Sequence, residues 1–474
     1  MDATNTVGGP RGDLQRNTRG KPQGDTPRFL SNEACKELQD RILAMASGQG
    51  VTNIGINSEW TGNLRWARNA ITSGGDTREN TISLGRTMFG AGGTATTNSL
   101  EDAPLRETVR RAEDATVFSF RALDTYPDPP KDMLPISSPR IWFDKTYQLD
   151  ADARGRVAKE LIDPAKEAGY LSAGYIEVNA RARAVRDSLV LSRYYPYTTA
   201  QYSVTVRDPE GTGSGWAGVD FNDWARIDTK VISATALDKC ARSRNPVAVE
   251  PGRYTAILEP QAVCDMWAPI MGRPLTRALA EMGGGPFTLG RGQSKIGLKV
   301  LDERITVSAD PMDPDCGFPP FDWQGEPFVQ TNWIENGVLK ELSYPRFYAI
   351  GSLGKESGLP DSLAFRISGG TTTVDEMIAT TKRGILVTRF NNLRVLDDSS
   401  MLLAGNTRDG LWLIENGKIS KAIKNFRITE SPLFMLNNLV QLGIPQRTFR
   451  PSAPAVCPAI KVNDFSFTGL MDAV

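Results

Sequence analysis

Ser352 and Lys355 stand three residues apart, a spacing that on a helix lets a lysine act as base toward a serine nucleophile. They lie in YAIGSLGKESG, which glycines interrupt, and no S-D-N or K-T-G companion accompanies them, so chance spacing is the reading kept. Asp310, Asp313 and Asp315 in ADPMDPDCG offer oxygen ligands to a hard cation, but the full calcium-loop pattern is missing and a Pro-Asp turn accounts for them. The glycine-rich run from Gly283 to Gly292 fits neither the P-loop nor the dinucleotide fingerprint and reads as a loop. Cys264 follows Pro260 on an apolar helical pattern, where a buried thiol is expected rather than an activated one. Tyr194, Tyr195 and Tyr197 in RYYPYTT could line a groove, although strand aromatics more often serve core or sheet surface.

Over these candidates stands one compositional fact: the 474 residues contain no histidine. Imidazole is the side chain that titrates near neutrality and the commonest metal ligand, so Ser-His-Asp triads, Cys-His dyads and His-ligated zinc sites are all excluded. The 55 basic and 55 acidic residues cancel, which removes the global field that would draw in nucleic acid. Five scattered cysteines (Cys35, Cys240, Cys264, Cys316, Cys457) show no CxxC spacing, so neither a disulfide framework nor a zinc ribbon is indicated. A reducing cytoplasm is the expected compartment. No window is apolar and long enough to span a membrane, so no membrane association is expected.

The elements that would position such residues follow from periodicity. Residues 1–27 are rich in Gly, Asp, Arg, Asn and Pro and read as a disordered tail. Ser31 can cap a helix whose apolar face is Cys35, Leu38, Ile42 and Met45. Antiparallel strands are expected next, broken by turns such as Ser73 to Asp76, then a helix carrying Leu105, Val109 and Ala112. The proline-rich stretch from Thr125 to Arg140 reads as an extended connection, and the following residues as a long hairpin turning near Arg186 and Asp187. Trp224, Ile227, Val231, Ala234 and Leu237 predict one long helix ending near Ser243. A helix starting at Pro260 follows, with Val263, Trp267 and Ile270 inward. In WIENGVLKEL and LIENGKISKA, Asn336-Gly337 and Asn416-Gly417 predict type I′ hairpins. The fold class is α+β: an N-terminal α+β domain at 28–245 with antiparallel sheets and flanking helices, then a β-rich domain at 246–474.

Several segments together resemble the TldD/PmbA family, named as modulators of DNA gyrase and grouped with metallopeptidases. They are Gly62 to Arg65 within SEWTGNLRWARNAITSGGD, AGYIEVNARARAV, GTGSGW at Gly211 to Trp216, and RSRNPVAVEPGRYTAILEPQAV from Arg242. KIGLKVLDERITVSADP, both IENG hairpins and KRGILVTRFNN from Lys382 continue the match. The resemblance implies dimers around an enclosed chamber and, in the catalytic branch, an HExxxH helix and a late cysteine that hold zinc, with a glutamate base. Between the helix from Pro260 and the KIGLKV strand this chain reads MGRPLTRALAEMGGGPFTLGRG, with Glu281 its only carboxylate. The late Cys457 is not equated with the family's ligand. No catalytic, cofactor-binding or metal-binding residue is therefore assigned, and no cofactor.

The expectation is a zinc-free member of the TldE/PmbA-like branch. It would be a non-catalytic subunit that pairs with a zinc-bearing TldD-type subunit and helps to wall a peptide-binding chamber. Two alternatives stay open: an active hydrolase with a rearranged site on Glu281, Asp313, Asp315 or Cys457, and a homodimeric peptide- or metabolite-binding protein.

Overall fold

The computed structural model describes residues 28–46, 48–88, 91–118 and 133–471. The expected tail at 1–27 and the first half of the proline-rich connection fall outside them. Residues 133–140 of that connection carry no regular structure.

The N-terminal half is built on a six-stranded antiparallel sheet, in the order β3-β2-β1-β4-β5-β6 among the described residues. Its strands are β1 (Val51–Ala67), β2 (Ala70–Met88), β3 (Ala91–Thr97), β4 (Leu171–Asp187), β5 (Ser192–Arg207) and β6 (Ser214–Phe221). β1 alternates buried residues with part-buried or exposed ones along its length, and its period-two apolar row (Ile54, Ile56, Trp60, Leu64, Trp66) packs beneath helices. These are α1 (Asn32–Met45), α2 (Asp102–Phe118), the short α3 (Asp144–Tyr147), α4 (Ala151–Glu167) and α5 (Thr229–Arg242). All of α1's expected apolar residues except Met45 are buried, and Ser31 Oγ accepts from the Ala34 N–H at 3.2 Å, capping the helix as anticipated.

Two expectations are corrected here. Ser73 to Asp76 is not a turn: it lies inside β2, with Leu64 opposite Gly74 and Gly62 opposite Asp76. The chain reverses earlier, at Arg68 and Asn69, which have φ of 50° and 61°, the left-handed pair a two-residue hairpin needs. The expected helix from Trp224 is likewise split. Trp224–Arg226 is a 3-10 turn, and α5 begins only at Thr229, where Asp228 accepts from the Val231 N–H at 3.0 Å. Val231 is consequently exposed, and Ser233, Ala236 and Cys240 face inward.

The C-terminal half is β-rich. Its elements are β7 (Gly252–Leu258), α6 (Pro260–Trp267), α7 (Arg277–Glu281), β8 (Thr288–Gly290), β9 (Gln293–Ser294), β10 (Val307–Ala309), β11 (Thr331–Glu335) and β12 (Val338–Leu339). After these come α8 (Arg346–Tyr348), β13 (Phe365–Ile367), α9 (Val374–Ala379), β14 (Arg383–Asp397), β15 (Leu402–Glu415), β16 (Lys418–Ala422) and β17 (Phe426–Glu430). The last are α10 (Pro432–Asn437), β18 (Leu439–Arg447) and β19 (Ala455–Leu470). Both Asn-Gly turns have positive φ at both residues, as type I′ requires. β7 pairs with β14 on one side and β19 on the other, so the path β19-β17-β15-β14-β7 returns to β19 and closes on itself. β19 bends to do so, with a register shift between Val462 and Phe465 and φ of 55° at Asp464. α6 packs on β14 and β19 and buries five of its eight residues, as a helix in a core must. Among the described residues no helix is long and apolar enough to cross a membrane.

Gly174 on β4 shows how tightly the first sheet is packed: an added Cβ would lie 2.1 Å from Trp66 Cζ2, in the buried indole. Gly174→Ala is expected to cost about 1–3 kcal/mol by overpacking. Urea unfolding measures this directly, and an unchanged midpoint would show that the Trp66 ring has room to move.

Candidate functional site

A cavity of about 600 Å³ lies where β1–β4 of the first sheet meet the loop at 323–326 and α8 of the second half. Gly55, Ser83 and Gly85 keep the floor shallow, while Leu134, Val190, Leu191, Trp323 and Phe347 supply apolar walls. Trp323, Val190 and Phe347 are exposed large hydrophobics, unusual unless something covers them. Charges at the rim are held in place. Arg183 Nη1 donates to the Phe321 carbonyl at 3.0 Å, and Arg193 Nη2 to that of Leu134 at 2.5 Å. Glu326 accepts from Ser357 Oγ at 3.2 Å and the Gly358 N–H at 3.1 Å, with Arg346 Nε at 3.7 Å. Burial pushes the neighbouring Asp322 carboxyl up to about 6. Farther along the sheet's open face, Arg181 pairs with Glu59 at 2.8 Å and Asn179 donates to Glu177 and Thr199. This groove has the make-up of a binding site, apolar with a few fixed polar groups.

Of the residues singled out by sequence, Asp313 and Asp315 share Arg366 and Cys264 lies against Cys457; the others are scattered. Asp313 holds Arg366 in a two-pronged ion pair at 2.6 and 2.8 Å. Asp315 is shared between Arg226 at 2.6 Å and Arg366 at 3.2 Å, and the Arg226 hydrogen bond helps hold its carboxyl below the usual range. Asp310 accepts from the Met312 N–H at 2.8 Å, the turn reading of that segment. Glu281, on α7, is bound by Arg277 at 2.7 Å and by the Tyr348 hydroxyl. Lys355 donates to the Tyr344 hydroxyl at 2.9 Å, while Ser352 is exposed. Tyr194 and Tyr195 spend their hydroxyls on the carbonyls of Leu30 and Pro139. The glycine-rich run forms the small β8–β9 hairpin.

Cys264 on α6 and Cys457 on β19 are buried side by side, their thiols in hydrogen-bonding contact. Burial drives the Cys457 thiol well above its ordinary range and pushes Cys316 up to about 12, so the sulfurs of Cys457 and Cys316 are neutral and inert as nucleophiles. Zinc chemistry of the kind the resemblance implies needs three protein donors around one open position. Among the described residues no three Cys, Asp or Glu side chains are grouped to hold a metal ion, so this donor set does not fit that zinc.

Sequence reasoning passed over Asp265, the residue after Cys264. Its carboxylate accepts from the Phe390 N–H at 2.9 Å and from Gln261 Nε2 at 2.8 Å. The residue is part-buried, and burial raises its pKa to about 6 against those bonds and the nearby Arg389. A carboxylate inside the apolar run PQAVCDMW was the available signal.

Residues 251–469 match the family described as the PmbA/TldA metallopeptidase C-terminal domain. A metalloprotease of Methanothermobacter thermautotrophicus is 23% identical over 234 residues, which are 47% of this chain. The chain thus spans about half the length of that curated relative, 50%. Among solved structures, a putative modulator of a DNA gyrase from Thermotoga maritima has a TM-score of 0.79 at 15% identity, covering 92% of this chain and 100% of its own. TldE from Thermococcus kodakarensis gives 0.77 at 17%, over 92% and 100%. A putative modulator of DNA gyrase from Bacteroides thetaiotaomicron gives 0.78 at 20%, over 93% and 100%. At such identities what is shared with the solved structures is the fold.

The raised carboxyl of Asp265 makes a pH prediction. Its folded-state pKa of about 6 exceeds the ordinary 3.8, so the protonated form favours folding. That contribution is full below about pH 4 and is lost as pH rises through 6, amounting to at most about 3 kcal/mol. Asp265→Asn should therefore flatten the fall in urea midpoint between pH 4 and 6. Identical slopes in the two proteins would remove Asp265 as the cause.

Proposed function

Because the chain belongs to the TldD/PmbA family through its residues 251–469, we propose that it is a zinc-free, non-catalytic member of a peptide-processing assembly. The observation that carries this is the absence of any imidazole in 474 residues. The carboxylates that would have to replace it, Glu281, Asp313 and Asp315, are each neutralised by an arginine, and the thiols are buried. The groove between the sheets supports the second half of the reading. It offers apolar walls and fixed polar rims to an extended peptide, but, among the described residues, no base beside a nucleophile.

In this proposal the chain supplies part of a chamber wall and its partner is a zinc-bearing TldD-type subunit that performs hydrolysis. The compartment is the reducing cytoplasm, in keeping with five cysteines that are all unpaired.

Elemental analysis of the purified chain, alongside peptidase assays with and without added zinc, tests the proposal. The expected result is below about a tenth of an equivalent of zinc and no cleavage by the chain alone, with cleavage appearing when a zinc-bearing relative is added. Stoichiometric metal with chelator-sensitive cleavage by the chain alone would overturn it.

A further inference from the structure

A second cavity, about 420 Å³, opens at the seam where the end of the β5–β6 hairpin meets β14 and β15. Strand register builds it. Arg207 and Ser214 face each other across that hairpin. Ser214 Oγ donates to Asp409 on β15, so the hairpin end is pinned to β15 and Arg207 is carried to the cavity that Asn406 and Arg408 also line. Asn391 on β14 stands directly opposite Asn406 and completes the wall.

The donors here are left over. Among the described residues, the side chains of Arg207, Asn391 and Asn406 make no hydrogen bond or ion pair, although all three are half-buried. The acid in the lining, Asp409, is 1% exposed and its charge is cancelled by Arg389, whose Nε lies 2.7 Å away. Arg408 reaches the same carboxylate only at 3.7 Å. Two arginines and two asparagines therefore line one space, the set of side chains that recognises planar or tetrahedral oxyanions. Among the described residues that line the cavity, the Ser214 and Thr407 hydroxyls donate to Asp409 and Asn425 and the one carboxylate is paired with Arg389, so the chemistry on offer is binding.

We infer that this seam cavity is a binding site for a small oxyanion, the phosphate or carboxylate group of a ligand, held by Arg207 and Arg408 with Asn391 and Asn406. The inference is independent of the zinc-free reading above, since it concerns different residues and a different cavity.

Calorimetric titration of the full chain in chloride buffer, with inorganic phosphate and separately with succinate, tests it. Saturable binding of at least one anion is expected, and the preferred one identifies the source of the group. Arg207→Gln should weaken that binding about tenfold or more, as should the double variant Asn391→Ala/Asn406→Ala, which decides the matter if the arginine variant does not fold. Arg394→Gln, at an exposed arginine of β14 outside the cavity, should leave it unchanged. Failure of both anions to saturate, equal loss in Arg394→Gln, or wild-type affinity in the folded cavity variants would each overturn the assignment.

Discussion

Two buried aspartates hold the halves of this molecule in one orientation. Asp220, near the end of β6, takes Arg447 Nη2 and the Arg450 N–H from the far half. Asp409 on β15 takes Ser214 and Arg389. Aromatic contacts fill in around them: Phe449 meets Trp216 edge-on at 5.9 Å, and the Arg389 guanidinium lies 4.5 Å over the same indole. Buried ion pairs add little net stability, because desolvation offsets attraction, yet breaking one by removing a partner costs about 3–5 kcal/mol. Their directional bonds fix how the open face of the first sheet meets the loops of the second, and both the groove and the seam cavity exist only in that arrangement.

Room and reactivity are separated in this chain. The groove has space and apolar walls but no activated group, whereas the thiols of Cys264 and Cys457 sit where nothing can reach them. Glu281, Asp313 and Asp315 are each paired with arginine. That separation is what the proposed non-catalytic role needs, and the match of residues 251–469 to the PmbA/TldA metallopeptidase C-terminal domain gives the proposal its context.

Local signals were legible wherever one short segment determines its own conformation. Ser31 capping α1, the two Asn-Gly turns, and α6 after Pro260 are all decided within a few residues. Misreadings arose where a distant partner decides. Ser73 to Asp76 looks like a turn because its glycines tolerate one, and becomes strand because β1 pairs with it across its whole length. The long helix was split because Asp228 captures the Val231 N–H and stops the pattern running back to Trp224. The candidate sites were the least legible: the groove draws on residues from Val51 to Phe347, and the charge of Asp409 is settled by Arg389, twenty positions away on another strand. Asp265 alone left a mark, as a carboxylate in an apolar helix.

Burial and composition together also shape how this molecule carries charge in solution. The chain has no imidazole, and Cys35, Cys240 and Cys316 are pushed up to about 12; burial raises Asp265 and Asp322 to about 6, raises Asp361 and Glu430, and lowers Lys461. Above these acids, few side-chain protons change hands until the lysines titrate near pH 10. The protein therefore has a broad isoelectric plateau rather than a sharp isoelectric point, and its formal charge stays close to zero across the range in which cells operate. Over that whole range long-range repulsion does not keep copies apart, and encounters are governed by local patches such as the apolar groove and the cationic seam.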